Sequence, residues 1–134
     1  MNPSDNTVPP ALRRWFVAHF FADLLFAIPL MLLPVATLRF FGWQHVDPIA
    51  TRMVSAAMFG IGIESWLGRD SGREAYIGML NLKIIWSLAV ILGVSYSLLA
   101  GAQGEPPLAW LILSVFVLFN LVWMYWRIRL ARTH

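Results

Sequence analysis

Four long apolar runs occupy most of this chain and limit what it can fold into. They cover about residues 15–38, 49–68, 75–100 and 108–126, with short polar connections between them. A helix needs about 20 mainly apolar residues to cross a hydrocarbon core roughly 30 Å thick, so each run is long enough for one crossing. The composition agrees, because 59% of the residues are hydrophobic and only 13% are charged. We expect an all-α membrane protein, a four-transmembrane-helix bundle.

The chain leaves no room for a separate soluble domain. Residues 1–12 are polar and include Pro9 and Pro10, so we expect a disordered N-terminal tail there. Residues 13–134 then form a single membrane domain. Pro29 and Pro34 predict kinks in the first span.

The arginines are distributed unevenly between the two predicted faces of the bundle. One face has Arg13, Arg14, Arg69, Arg73, Arg127, Arg129 and Arg132, whereas the other has only Arg39 and Arg52. Because basic residues are enriched on the cytoplasmic side, both termini should be cytoplasmic, with the chain in the inner (plasma) membrane of a cell. The arginines that set the orientation in the membrane also account for the net charge of +3, so no nucleic-acid partner is expected.

Four ionisable residues lie inside the apolar runs: His19, Asp23, Glu64 and Lys83. A charged side chain facing lipid costs at least about 2.5 to 3.5 kcal/mol on insertion scales, so these four should face inward. Counting about 1.5 Å per residue from the nearest arginine places Asp23 and Lys83 near the bilayer centre, with His19 and Glu64 nearer the cytoplasm. Matched depth predicts two pairs, Asp23 with Lys83 and Glu64 with His19.

This charged cluster has two interpretations that the sequence leaves open. The ion pairs either fix the register of the helices or form a ligand or proton pocket, which intramembrane ionisable residues often mark. Trp86 follows Lys83 by three residues and is placed to cover its ammonium or to line the pocket. Asn81 and Asn120 accompany the cluster as neutral polar residues.

Small residues on the second and third spans predict close helix packing. On the second span they form a ridge at intervals of four with two charged residues: Arg52, Ala56, Gly60, Glu64 and Gly68. Gly93 belongs to a similar stripe on the third span. Such residues let two helix backbones approach closely in a membrane.

No catalytic residue, metal site or cofactor is predicted. The chain has no Cys and none of the motifs of metalloproteases, serine hydrolases or nucleotide-binding proteins. A single histidine well inside a span is too few for bis-imidazole haem. A membrane enzyme using His19 and Glu64 as acid and base therefore ranks behind the two functions that follow from the charged cluster.

The layout of nearly the whole chain resembles the DoxX-like group of small four-helix membrane proteins. The features that carry the resemblance are a proline-bearing first span, the Gly-rich second span RMVSAAMFGIGIESWLGR, the short basic turn after it, and a long third span opening with Tyr76 and Asn81. The resemblance implies a bacterial inner-membrane bundle, in some members associated with redox systems. His19 and Asp23 depart from the family's pattern, so no functional residue is carried over from it.

Two functions remain open on these observations. One is an autonomous bundle whose charged cluster binds or passes a small polar solute or a proton, and the number of charges favours it slightly. The other is a non-catalytic accessory or assembly subunit of a larger membrane complex, such as a redox complex. The expected partners are the lipid bilayer and either a second copy of the chain or a larger membrane protein.

Overall fold

The structure, a computed structural model, consists of α-helices and the turns between them. It describes residues 7–101, 106 and 108–132, and these ranges contain no β-strand. The helices are α1 (Pro10–Leu32), α2 (Pro34–Phe40), α3 (Pro48–Leu67), α4 (Arg73–Leu99) and α5 (Ala109–Ala131). A 3₁₀ turn, Gly68–Asp70, lies between α3 and α4. The expected all-α class is confirmed.

Three helices, α1, α4 and α5, are long and apolar enough to cross a membrane, and they indicate a membrane protein. They contain 23, 27 and 23 residues. Helix α3 has 20 residues, but it is not apolar enough over that length to be counted with the other three. The second of the four predicted spans is therefore the one that length and composition together do not support.

Two prolines shape the end of the first predicted span. Pro29 lies inside α1, whereas Pro34 begins α2. A residue that precedes a proline is disfavoured in the helical region, and Leu33 has φ −130° and ψ 57°. The single span expected over residues 15–38 is therefore divided at Leu33. The hydroxyl of Thr37 donates a 3.0 Å hydrogen bond to the carbonyl of Pro29, which holds α2 against the end of α1.

Helix α1 begins earlier than predicted. Pro10 takes its first position, where the N–H that proline lacks would have no partner in the helix. Val8 and Leu12 are buried in the apolar core. The disorder expected for residues 1–12 therefore does not extend over residues 8–12, and residues 1–6 lie outside the described residues.

The long helices pack as two hairpins. Helix α1 packs most extensively against α3, and α4 packs most extensively against α5. Phe16 joins the hairpins at one end, because its ring centroid lies 4.6 Å from that of Tyr76 and 5.6 Å from that of Trp123. These three belong to one buried apolar cluster, here called the aromatic cluster: Val8, Leu12, Phe16, Tyr76, Met79, Leu80, Trp123, Trp126 and Leu130.

Polar contacts tie the chain together at the same end. Nη1 of Arg13 lies 3.2 Å from Oδ1 of Asp70, which connects the start of α1 to the turn after α3. Nη2 of Arg73 donates a 2.6 Å hydrogen bond to the carbonyl of Leu130, which connects the start of α4 to the end of α5. The starts of α1 and α4, the end of α3 and the end of α5 therefore lie at one end of the molecule.

Helix α3 faces α1 with small and polar residues. The Ser55 hydroxyl donates a 2.7 Å hydrogen bond to the carbonyl of Ala27. A Cβ atom added at Gly62 would lie only 2.8 Å from Cβ of Asp23, so glycine allows the two backbones to approach this closely. The buried residues that form this face are Thr51, Ser55, Met58, Gly62 and Ser65.

The small residues predicted to pack lie elsewhere. Ala56, Gly60 and Gly93 are exposed, and a Cβ atom added at either glycine would meet no atom within 4 Å. For contacts within the described part of this chain, the packing prediction is wrong. The reason is geometric: each residue turns a helix by about 100°, so the row through Ala56 and Gly60 lies on the side of α3 opposite the contact face that carries Ser55, Met58 and Gly62.

Candidate functional site

A cleft of about 310 Å³ separates the two hairpins beside the aromatic cluster. All five helices contribute to its walls, which are almost entirely aliphatic and aromatic. The polar residues that line it are His19, Asp23, Lys83 and Ser87. Their side chains lie at the end of the cleft next to the aromatic cluster, because Lys83 reaches the rings of Phe16 and Trp123. The volume is at the lower end of the range for small-molecule sites, about 300 to 1,000 Å³.

Lys83 places an ammonium group inside this cleft. The residue is only 3% exposed, and its Nζ donates a 2.7 Å hydrogen bond to Oγ of Ser65. Nζ also lies 3.1 Å from Nδ1 of His19. The rings of Phe16 and Trp123 lie 5.0 and 5.2 Å away, within the range of a cation–π attraction. Among residues 7–101, 106 and 108–132, no carboxylate lies within 4.0 Å of Nζ.

Asp23 places a carboxylate near the Lys83 ammonium. The residue is 8% exposed, and its Oδ2 atom lies 2.9 Å from Nδ1 of His19, one helical turn earlier on α1. This approach does not have hydrogen-bond geometry, and Oδ2 is buried without a hydrogen-bond partner in the part of the chain that the structure describes. A buried polar atom without a partner is uncommon in proteins and costs about 1 to 3 kcal/mol.

Nδ1 of His19 is approached by both charged groups, and it cannot satisfy both. A ring nitrogen of neutral imidazole either donates or accepts a hydrogen bond. In the geometry shown, Nδ1 can accept from Lys83 and Oδ2 of Asp23 keeps no partner. A small rotation of the ring that let Nδ1 donate to Asp23 would leave the ammonium with Ser65 and the two rings. In either state the cleft presents a charged group that lacks one polar partner.

The imidazole ring itself is held in a fixed position. Its centroid lies 4.9 Å from the ring of Phe119 and 5.1 Å from the ring of Trp123, both in edge-to-face arrangements. Phe119 and Trp123 stack on each other with centroids 5.6 Å apart. Helix α5 therefore supplies an aromatic wall that orients His19 towards the two charged groups.

Hydrogen bonds between α4 and α5 support Lys83 from behind. The Ser87 hydroxyl donates a 2.6 Å hydrogen bond to the carbonyl of Lys83. The Nδ2 group of Asn120 on α5 donates to Oγ of Ser87 at 2.8 Å and to the carbonyl of Ile84 at 3.1 Å. These bonds satisfy buried polar groups and fix α5 against the turn of α4 that carries the lysine.

The two predicted ion pairs do not form as expected. Lys83 contacts His19 and Ser65, and Asp23 contacts His19, so the carboxylate and the ammonium lie on either side of one imidazole nitrogen. Glu64 is exposed, and within the described residues it forms no ion pair with His19. The predicted inward direction of Glu64 is wrong, because the neighbouring residues Gly62 and Ser65 are the ones that face inward.

Of the remaining predicted site residues, one lies in the cleft and one lies outside it. Trp86 lines the cleft. Asn81 is exposed on another face of α4, where its Oδ1 accepts a 2.8 Å hydrogen bond from Nε of Arg127. The structure therefore brings together His19, Asp23, Lys83 and Trp86, and it places Asn81 and Glu64 outside the cleft.

Two hydroxyl residues at the site, Ser65 and Ser87, are not among the predicted site residues. The signal that would have found Ser65 is the spacing of residues 51, 55, 58, 62 and 65, which alternates steps of four and three and so stays on one helix face. Ser87 follows Lys83 by four residues and therefore lies on the same face of α4.

No group of three or more His, Cys, Asp or Glu residues that could hold a metal ion occurs in the described ranges. The cleft offers a different chemistry, namely N–H donors from a buried cation and an acceptor from a buried carboxylate, at one end of an apolar volume. Such an end can bind a polar group that both donates and accepts hydrogen bonds.

Nothing matches this chain in comparisons with protein-family models, curated proteins and solved structures. The resemblance to DoxX-like proteins therefore stays a prediction from the sequence.

Proposed function

We propose that this chain is a multi-pass protein of the inner membrane, in which α3 supplies a fourth crossing beside α1, α4 and α5. Its 20 residues suffice for one crossing, and it packs along α1. Arg52 and Glu64 lie near its two ends, where charges reach the headgroup region. Nε of Arg52 also donates a 3.1 Å hydrogen bond to the carbonyl of Met31.

We assign the end that carries the aromatic cluster to the cytoplasm. Arg13, Arg69 and Arg73 meet there through the contacts of the chain ends and the turn after α3. A concentration of arginines on one side of a bundle is typical of the cytoplasmic side. In this orientation both chain termini are cytoplasmic.

The function that we propose is binding of a small molecule in the cleft, with a polar group of the ligand at Asp23 and Lys83. The observation that carries it is the placement of two buried charged residues, Asp23 and Lys83, at one end of a cleft of about 310 Å³, with Oδ2 of Asp23 lacking a hydrogen bond in the described part of the chain. A ligand group that donates to the Asp23 carboxylate and accepts from Lys83 would satisfy both charged residues.

The walls of the cleft favour an amphipathic ligand over a fully polar one. Beyond its polar end the cleft is lined by residues such as Phe26, Met58, Val90 and Phe116. Moving a polar solute along such walls would cost its hydration without replacement hydrogen bonds. Binding of a ligand with one polar group and an apolar body is therefore better supported than passage of a hydrated solute or a proton.

The test is native mass spectrometry of the tagged protein, released gently from its own membranes. We expect a small bound mass that is retained in the wild-type protein and lost in Asp23→Asn and in Lys83→Met. Glu64→Gln is the matched control, because it makes the same acid-to-amide change on an exposed side chain outside the cleft. The control should keep the bound mass.

Three results would contradict this proposal. The first is a protein without any small bound mass, and the second is a bound mass that survives both cleft substitutions. The third is a larger membrane protein bound in stoichiometric amount, with the cleft empty. That outcome would favour the accessory-subunit function and make the charged residues structural. Circular dichroism of each variant separates loss of ligand from loss of fold.

A further inference from the structure

A second depression, separate from the cleft, lies on the surface of the arginine-rich end. Its volume is about 240 Å³, and it lies between the first two turns of α1 and the turn after α3. The residues that line it are Arg13, Arg14, Val17, Arg69 and Asp70. Three guanidinium groups and one carboxylate give this site two more positive than negative charges, so it should attract an anion.

Two of the arginines are held in place by the protein. The guanidinium of Arg69 lies 4.1 Å above the ring of Trp66, and its Nη1 donates a 2.6 Å hydrogen bond to the Trp66 carbonyl. The hydroxyl of Tyr76 donates a 2.6 Å hydrogen bond to the carbonyl of Arg69, which fixes the turn itself. Nη1 of Arg13 lies 3.2 Å from Oδ1 of Asp70.

The single carboxylate does not neutralise the site. Asp70 is shared, because its Oδ2 also lies 3.5 Å from Nε of Arg69. The Arg14 guanidinium makes no hydrogen bond or ion pair with the part of the chain that the structure describes. The planar donors of Arg14, together with the N–H groups of Arg69 that Trp66 and Asp70 do not take, are therefore available to an anion with several oxygens, such as a phosphate.

An apolar surface continues from this depression along α1 and α3. Val17, Phe20 and Phe21 follow Arg13 by four, seven and eight residues and so lie on the same side of α1. The ring of Trp66 on α3 lies 5.2 Å from Phe20 and 6.4 Å from Phe21, measured between centroids. Phe21 is 60% exposed and Trp66 is 37% exposed, so the surface is open to the surroundings of the bundle.

We propose that this site binds one anionic phospholipid, with its phosphate at Arg14 and Arg69 and an acyl chain along Val17, Phe21 and Trp66. The charge of the depression suits the headgroup, and the aromatic surface suits the chain that hangs from it. In the proposed orientation, this basic pocket between helices lies at the membrane surface, level with the lipid headgroups. This proposal does not depend on a ligand in the cleft.

The test is titration of the purified full-length protein in detergent with phosphatidylglycerol, followed by native mass spectrometry. The double substitution Arg14→Gln/Arg69→Gln should weaken binding of the first lipid about 30-fold, the effect of two basic groups near a headgroup. The control Arg129→Gln/Arg132→Gln removes the same charge from the end of α5 and should weaken it less than about threefold. Phosphatidylcholine, which has no net charge, should bind the wild-type protein at least about tenfold more weakly.

A second pair of variants tests the acyl chain and separates a lipid from a free phosphate. Phe21→Ala should weaken phosphatidylglycerol binding several-fold, whereas Phe40→Ala, on a ring in α2 that is 77% exposed, should leave it unchanged. Glycerol phosphate, which carries the headgroup chemistry without the chains, should fail to displace the lipid. Because Arg14 and Phe21 are exposed, Arg14→Gln and Phe21→Ala should fold normally, and Arg14→Gln alone should weaken binding about fivefold.

Several outcomes would overturn the proposal. Equal losses in the site variant and in the α5 control would show a general surface attraction. Equal binding of phosphatidylcholine would show that the charge does not matter. Displacement by glycerol phosphate, with no effect of Phe21→Ala, would show a site for a soluble phosphate.

Discussion

The close approach of α1 and α3 at Gly62 leads to a quantitative prediction. A Cβ atom at this position would lie 2.8 Å from Cβ of Asp23, and ordinary van der Waals contacts begin at 3.4 Å. Cβ of Asp23 is fixed to the backbone, so no change of rotamer relieves the overlap. Gly62→Ala therefore requires the two helices to separate locally by about 0.6 Å.

The cost of that separation follows from overpacking. Inserting a methyl group into a well-packed interior costs about 1 to 3 kcal/mol. If the separation continues two turns along α3, the 2.7 Å hydrogen bond from Ser55 to the Ala27 carbonyl stretches to about 3.3 Å, beyond the usual range for hydroxyl donors. Alanine is also a better helix former than glycine by up to about 1 kcal/mol, which offsets part of the cost.

Gly60→Ala is the matched control, because a Cβ atom there meets nothing within 4 Å. It changes helix propensity in the same helix without the overlap, so the difference between the two variants isolates the packing cost. We expect Gly62→Ala to be less stable than Gly60→Ala by about 1 to 3 kcal/mol in reversible unfolding followed by circular dichroism. Equal stabilities would refute the close contact between α1 and α3.

Further substitutions test the polar end of the cleft. Asp23→Asn combined with Lys83→Met should cost less stability than the sum of the single changes, because each single change leaves a buried charge without its counter-charge; additive losses would contradict the coupling. Ser65→Ala removes the acceptor of the ammonium and should lower the free energy of unfolding by about 1.5 to 3 kcal/mol in denaturant titration, and an unchanged midpoint would exclude this bond. In the same titration, Asn120→Ala should lower the free energy of unfolding by about 1 to 3 kcal/mol, whereas Glu64→Gln should change it by less than about 0.5 kcal/mol. A larger loss in Glu64→Gln than in Asn120→Ala would contradict the positions of the two residues in the structure.

The sequence identified the polar end of the cleft because its residues follow simple rules. His19 and Asp23 are four residues apart, which places them on one face of α1. Lys83 lies deep in an apolar run, where an ammonium must face inward to find polar partners. The spacing along one helix and the cost of exposing charge to lipid are enough to place these three residues.

The orientation of α3 could not be obtained by the same rules. The rise of about 1.5 Å per residue gives the depth of Glu64, but the direction of its side chain depends on how α3 rotates about its own axis. Two rows of small residues compete on this helix, one at intervals of four through Gly60 and one at alternating intervals through Gly62. The second row faces α1, where Ser55 and Ser65 make hydrogen bonds, and that choice turns Glu64 outward.

The break at Leu33 illustrates a second limit of the sequence. Pro29 and Pro34 carry the same local signal, since each lacks an N–H and restricts the residue before it. Pro29 is accommodated within α1, whereas Pro34 ends it. The local signal therefore does not distinguish which proline ends the helix; in the structure the hydroxyl of Thr37 bonds to the Pro29 carbonyl across the break that Pro34 makes.

The aromatic cluster also determines how the cleft can change its width. Within the described residues the cluster joins the two hairpins at one end, so a change in the angle between α1 with α3 and α4 with α5 would take place about that end. The 27 residues of α4 make a helix about 40 Å long. A tilt of about 5° at the cluster would move a point about 25 Å along the helix by about 2 Å, roughly the half-thickness of an aliphatic chain. Such a tilt would therefore widen the far end of the cleft most and would leave Asp23 and Lys83, beside the cluster, nearly stationary.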